Sequence, residues 1–296
     1  PTYLKLLKIN AKVILDNFDF PFLYKLFGGR SLLIKVHHGT PKYLEKYYGL
    51  KKVFAKLYAF FLGVLYSYSS RIVDLNIAVS SKVKTELVKY YHVTPEKIIV
   101  IHNGVSTERF KPRDKIFARK VFNLPLDKKI VLFVGGDLDR KGFKEALQSV
   151  EFLRKEFKDL FFLVVTRAKR VIAHANHVKI LKDVPEDLMP LVYNASDILL
   201  LPSKYEASLP LTVLEALASG CPAVVSQNAA EEKYNGQGYI IAHNYGEFIN
   251  YLRILLKNVN YREEMGLRGR NLIVSEYSLK NFDKYVEVVD RLIKRK

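Results

Sequence analysis

Short apolar runs rich in β-branched and aromatic residues alternate along this chain with helix-length amphipathic segments. No other feature of the sequence limits the fold as tightly. The runs are AKVILDN, LLIKVH, LNIAVS, KIIVIHN, KIVLFVG, LFFLVVT, HVKIL, DILLLP, PAVVS and GYIIA. Several are apolar on both faces, as strands are when helices cover both sides of a parallel sheet. Helical patterns fall between them at 50–69, 81–91, 142–157, 186–195, 209–219, 246–257, 260–275 and 279–294. Strand and helix in succession predict a doubly wound α/β architecture.

The succession is interrupted once, at IHNGVSTERFKPRD (101–114), where an Asn-Gly turn, a polar stretch and Lys111-Pro112 follow a strand. This predicts two α/β domains: 1–107, then 108–277, with 278–296 as a last helix packing back towards the first domain. In such sheets ligands sit at the carboxyl ends of the strands.

Charge separates the two parts. The chain carries a net charge of +18, and residues 1–103 hold 16 Lys+Arg against 6 Asp+Glu, a net of +10. A surface this basic suits an anionic partner: a phosphate-bearing substrate, an anionic membrane surface or nucleic acid. No basic stripe interleaved with stacking aromatics accompanies the charge, so nucleic acid is not expected. The longest apolar run, 53–68, contains Lys56 and falls short of the roughly 20 residues that span a bilayer. Apolar nearly all round, it reads as a core helix, with a membrane-facing helix flanked by Lys51 and Lys52 as the alternative. The single cysteine, Cys221, excludes a disulfide framework and fits a reducing compartment. A cytoplasmic protein, peripheral at the cytoplasmic membrane face, is expected.

Two loops carry the chemistry. After the first strand past the boundary, Gly135 and Gly136 let the backbone turn, Arg140 and Lys141 follow, and Gly142 opens a helix. A glycine turn running into a helix amino terminus, with two cations beside it, is a natural anion site; an ordinary strand–helix turn is the other reading. Asp137 and Asp139 in this loop read as turn and cap residues rather than metal ligands, because the adjacent cations would repel a metal. The second loop, Lys204 to Ser208, follows DILLLPS. Pro210 then starts a helix that Gly220 and Pro222 end. Glu215 lies inside that helix between Val213, Leu214 and Leu217. A carboxylate there suits a cleft with hydroxyl groups to accept from; periodicity alone favours the other reading, a solvated helix residue. Weaker signals read as structural: His174 and His177 as a solvated pair, Asn194-Ala195-Ser196 as a chance sequon, and Cys221 as a small apolar packing residue.

The stretch PSKYEASLPLTVLEALASGCPAV (202–224) resembles the signature of family 4 glycosyltransferases. FVGGDLDRKG, IHNGVSTERFKP and AVSSKVKTELVKYYHV resemble the same family in the same order. The resemblance implies the GT-B architecture of two Rossmann-like domains, the first here truncated or reduced, and a retaining, metal-independent hexosyltransferase that needs no cofactor. Its donor would be a UDP- or GDP-linked sugar and its acceptor a glycan or a lipid-linked species. By position, Glu215 corresponds to the glutamate on the ribose hydroxyls, and Glu206 to the one on the donor sugar together with the amides of Ala207, Ser208 and Leu209. Lys141 corresponds to the diphosphate lysine, with Arg140, Gly135 and Gly136 beside it. His38 corresponds to a histidine of the first domain that reaches the donor sugar, with His37 as the alternate. A non-catalytic nucleotide-sugar-binding or subunit module is the competing reading.

The chain departs from the family pattern in four places. Glu206 and Glu215 are spaced E-x8-E rather than E-x7-E. Gly136 stands where an arginine is usual. VVTRAKR replaces a glycine-rich turn, so Arg167 and Lys169 become candidates for that edge, with a solvated loop as the equal alternative. The opening strand–helix units are missing, and with Pro1 at the start a fragment is expected.

Overall fold

A computed structural model of the chain describes residues 12–16, 24–25, 28–42, 53–171 and 175–294. It resolves into two compact units. One holds the described residues up to Asn103 together with those from Lys280 onward; the other is Gly104–Leu279. Lys51, Lys52 and His174, singled out above, lie outside the described residues.

The first unit is built on four parallel strands in the order β1-β2-β3-β4: Val13–Asp16, Leu32–His37, Leu75–Ala78 and Ile98–Val100. β2 and β3 are buried along their whole length, as expected of strands covered on both faces. Helix α1 (Val53–Ile72) connects β2 to β3, and α2 (Ser81–Tyr91) connects β3 to β4. Ser80 caps α2 by accepting from Val83 N, and His92 closes it in the left-handed conformation.

α1 corrects the sequence reading. It does not pack on all sides. Ser69 and Ser70 are fully buried, while Phe60 and Phe61 face outward. The buried serines serve Lys35 of β2, itself only 2% exposed, whose Nζ donates to Ser69 Oγ at 2.7 Å and lies 4.0 Å from the Tyr66 ring centroid.

The second unit is a six-stranded parallel sheet. Its strands are β5 (Lys129–Val134), β6 (Leu160–Thr166), β7 (Val178–Lys182), β8 (Ile198–Leu201), β9 (Ala223–Ser226) and β10 (Tyr239–Ala242). The order β10-β9-β8-β5-β6-β7 means that the chain winds outward from β5 to β7, then returns to the other side of β5 and winds outward again. The switch point is therefore between β5 and β8. Connections leave in opposite directions there, and the carboxyl ends of the two strands open a crevice.

Helix α3 (Lys115–Val121) was not legible in the sequence. Its apolar residues Ile116, Phe117 and Val121 are exposed, so no inward apolar stripe marks it. Buried Asp197 holds it instead, accepting from Lys115 Nζ and Arg119 Nη2 at 2.8 Å each and from Ile130 N at 2.7 Å. Burial alone would push that carboxyl up, but the lysine, the backbone N–H and the arginine together bring it below the usual carboxylate range. The helices that frame the crevice are α4 (Phe143–Leu153), α5 (Met189–Ala195) and α6 (Leu211–Ala218). α7 (Tyr245–Lys257) and α8 (Val259–Glu276) follow, and α9 (Asp283–Lys294) belongs to the first unit.

Candidate active site

The two chemistry-bearing loops of the sequence leave the sheet from β5 and β8, the strands at the switch point. Gly135 continues β5 by one residue, donating to Val165 O, while its carbonyl accepts from Thr166 Oγ1 at 2.6 Å. The loop then curls. Asp137 Oδ1 accepts from Arg140 N, and Asp139 pairs with Lys204, so both aspartates act within turns and loop contacts. Gly142 is where the loop turns into α4. Its φ is +75°, and a Cβ there would lie 2.1 Å from the carbonyl oxygen of Pro202. The absence of that Cβ is what lets the β5 and β8 loops touch.

Because they touch, Arg140 and Lys141 meet Glu206. A single oxygen, Glu206 Oε1, receives Lys141 Nζ at 2.7 Å, Arg140 Nη1 at 3.0 Å and Ser203 Oγ at 2.6 Å. Arg140 Nη1 also donates to the Tyr205 carbonyl at 3.1 Å. Lys141 is only 8% exposed, and its stem lies across Gly135, where a Cβ would meet Lys141 Cγ at 2.8 Å. Burial pushes its ammonium below the ordinary lysine range, although the adjacent Glu206 pulls the other way. Three donors thus converge on one anionic oxygen at the carboxyl end of a parallel sheet, in a cluster that the protein's own carboxylate fills.

Glu215 lies on α6, whose amino terminus follows the Glu206 loop through Pro210. It is half-buried, and its Oε2 accepts from the Tyr193 hydroxyl of α5 at 2.6 Å. Burial raises its carboxyl above the ordinary range. Tyr193 and the charge of Arg109 oppose the rise, and Glu186 adds to it. Arg109 is anchored by donating to the Glu186 carbonyl. Glu215 is thus an acceptor held in place, with a raised proton affinity.

Other expectations fall less close together. Ala207 and Ser208 are half-buried in the Glu206 loop, whereas the Leu209 side chain is in the core, so Leu209 can serve a ligand only through its backbone. Gly136 has no atom within 4 Å of where a Cβ would stand. Arg167 and Lys169 are exposed, and Arg167 Nη2 lies 4.0 Å from Glu186 Oε1.

In the first unit, His37 and His38 differ sharply. His37 is 2% exposed, with Nε2 2.7 Å from Asn76 Oδ1 and Nδ1 against the Tyr66 hydroxyl. Burial, reinforced by the Lys35 charge, lowers its pKa to about 3. It is a buried imidazole with both ring nitrogens engaged inside the first unit. His38, one residue past β2, is exposed.

Tyr193, Ser203 and Arg109 were missed by sequence reasoning. Ser203 is a polar residue just past a fully buried strand, and that position could have flagged it. Tyr193 sits among apolar residues of α5, and its partner is on another helix.

The comparisons bear on what this site is for. Residues 114–272 match the family model described as glycosyl transferases group 1, and residues 6–109 match that of glycosyltransferase family 4. The chain belongs to the family 4 glycosyltransferases. Among curated relatives, the chain is 30% identical over 172 residues to a D-inositol 3-phosphate glycosyltransferase of Catenulispora acidiphila, covering 52% of this chain and 40% of that protein. An uncharacterized glycosyltransferase of Methanocaldococcus jannaschii is 27% identical over 170 residues, covering 51% and 41%. The match thus spans about two fifths of the length of these relatives. Among solved structures, the fold is similar to sucrose-phosphate synthase from Thermosynechococcus elongatus (TM-score 0.85, 15% identity, all of this chain and 77% of that one). It is also similar to the Anabaena protein HepE, solved with UDP and glucose (TM-score 0.78, 15% identity, 97% and 80% coverage). These likenesses show the fold of two parallel-sheet Rossmann-like domains, the GT-B architecture.

Proposed function

We propose that this glycosyltransferase moves a hexose from a UDP- or GDP-linked donor to a glycan or lipid-linked acceptor, with retention of anomeric configuration and without a metal. The observation that carries this reading is the convergence of Lys141, Arg140 and Ser203 on one carboxylate oxygen at the switch point of the second sheet. A donor diphosphate bound there exchanges one anion for another. Lys141 and Arg140 would then stabilise the charge that grows on the departing diphosphate, and the amino terminus of α6 would add its dipole. Glu215 accepts from the ribose hydroxyls. The amides around Ala207 and Ser208 meet the donor sugar, and a donor phosphate oxygen helps take the acceptor proton. The net charge of +10 in the first 103 residues supports an acceptor at an anionic membrane surface, at its cytoplasmic face.

The test is to incubate the chain with a panel of UDP- and GDP-sugars and candidate acceptors, follow nucleoside diphosphate release, and assign the product anomer by NMR. Release with a retained anomer, unaffected by a chelator, is the expected result. An inverted product or chelator-sensitive turnover contradicts the mechanism. Nucleotide-sugar binding without turnover favours the non-catalytic module.

A further inference from the structure

α1 is arranged inside out. Its inward side carries Ser69 and Ser70, both fully buried, with Tyr66, whereas five of its large apolar or aromatic residues face outward. Leu57, Phe60, Phe61, Val64 and Tyr68 are 54%, 68%, 60%, 50% and 51% exposed. Their spacing of i, i+3, i+4, i+7 and i+11 puts them on one face, roughly 16 Å long at 1.5 Å per residue. The next position on that face is the exposed Arg71. A helix exposed only to water would turn this face inward, because single exposed apolar residues are ordinary but a contiguous stripe is not.

The surroundings of the stripe identify what covers it. Ser67 Oγ donates to Tyr91 O at 2.8 Å and the Tyr66 and Tyr91 rings pack at 4.8 Å, which brings the end of α2 alongside the carboxyl half of α1. Tyr90, exposed at that end of α2, has Lys42 Nζ at 5.0 Å and Lys89 Nζ at 5.5 Å from its ring centroid. The sequence of α1 contains no acidic residue. An aromatic–aliphatic stripe, a rim of tyrosine and lysine, and a net charge of +10 over residues 1–103 complement a negatively charged interface with an apolar interior. No helix among the described residues is long and apolar enough to cross a membrane, so the helix would lie in the plane of the interface.

We propose that the Leu57–Phe60–Phe61–Val64–Tyr68 face of α1 docks the protein onto an anionic lipid bilayer, inserting Phe60 and Phe61 between headgroups while Arg71, Lys42 and Lys89 meet lipid phosphates. The acceptor reading above suggests this class of partner, but the surface stands on its own geometry and does not need the donor site.

The test is flotation of the full chain with vesicles of phosphatidylcholine and phosphatidylglycerol (7:3), beside vesicles of phosphatidylcholine alone, in 50 mM and 500 mM salt. The chain has no tryptophan, so Phe60→Trp supplies a single reporter. Expected are flotation with the anionic vesicles at 50 mM salt, a blue-shifted Phe60→Trp emission on binding, and at least a tenfold loss of partitioning in Phe60→Ser/Phe61→Ser. That double variant should keep its circular dichroism melt, since both side chains are exposed. Glu215→Ala should float like the wild type, which separates failure of this surface from failure of the donor site. The proposal is overturned by no flotation at 50 mM salt, or by equal flotation of Phe60→Ser/Phe61→Ser. It is also overturned by flotation without a blue shift, or by a dimer that the double variant dissociates and that does not bind vesicles.

Discussion

Glu206 Oε1 lies 2.7 Å from Lys141 Nζ, so the cation expected to hold a donor diphosphate is held by an internal carboxylate. The two compete by charge, because Lys141 and Arg140 cannot satisfy Glu206 and a phosphate oxygen at the same position. Glu206→Gln should therefore bind free nucleoside diphosphate three- to tenfold more tightly than wild type, by titration calorimetry, yet transfer sugar more slowly. Weaker diphosphate binding in Glu206→Gln would contradict this competition.

Glu215 predicts a pH dependence. Its carboxyl is raised above the usual range chiefly by burial, and the ionised form is the stronger acceptor for two ribose hydroxyls. Affinity is present above the raised pKa and is lost as pH falls through it, at a higher pH than for an exposed glutamate. The ligand should be a nucleotide-sugar, since a terminal phosphate itself titrates near about pH 6. Tyr193→Phe removes a hydrogen bond that favours the ionised form and should move the midpoint further up. Glu215→Gln should flatten the profile. An unmoved midpoint in Tyr193→Phe would show that the tyrosine does not act through Glu215.

Gly136 and Gly142 should respond oppositely to substitution. Gly142→Ala forces a side chain into a left-handed backbone and within 2.1 Å of the Pro202 carbonyl. It should cost about 3 kcal/mol of stability and separate Lys141 from Glu206. Gly136→Arg meets open space, should change stability by less than about 0.5 kcal/mol, and should tighten nucleotide binding by adding a cation to the diphosphate loop. Thermal melts and nucleotide titrations of both variants check this, and an unchanged melt for Gly142→Ala would refute the steric argument.

How much of this was legible in the sequence depended on the distance over which each feature is decided. The strands were legible because burial on both faces writes itself into consecutive residues: every described residue of β2 and β3 is apolar or buried with a partner. The pairing of the β5 and β8 loops was legible only through the family resemblance, since it follows from a sheet order that no local pattern encodes. Tyr193 and Glu215 meet across two helices, and α3 is held by a carboxylate far along the chain, so neither left a periodic trace. α1 misled because its composition, apolar nearly all round, does not say which face is turned outward. His37 and His38 are adjacent and identical in type, and only the end of β2, which falls between them, separates a buried imidazole from an exposed one.

His37 sets an acid limit on the first unit. Its pKa is about 3 in the folded chain against an ordinary 6.5, so between these values the unfolded chain binds more protons than the folded one. Stability therefore rises with pH across this window, and acidification from 6.5 towards 3 removes it, on the order of 1.4 kcal/mol for each pH unit between the two values. Hydrogen exchange of the Leu32–His37 and Leu75–Ala78 strands should show protection falling from pH 6.5 to 4.5. His37→Gln, which loses the titrating group, should show a shallower fall, and an equal fall in both proteins would rule out His37 as the cause.

Titration calorimetry of UDP, GDP and ADP into the chain, with Glu215→Ala and Lys141→Ala in parallel, tests the donor site most directly. The account predicts that one nucleotide binds with micromolar affinity, about −8 kcal/mol, and that each substitution weakens it at least tenfold while the protein stays folded. Binding that neither substitution weakens, or no binding by any of the three, would contradict a donor site built on Lys141 and Glu215.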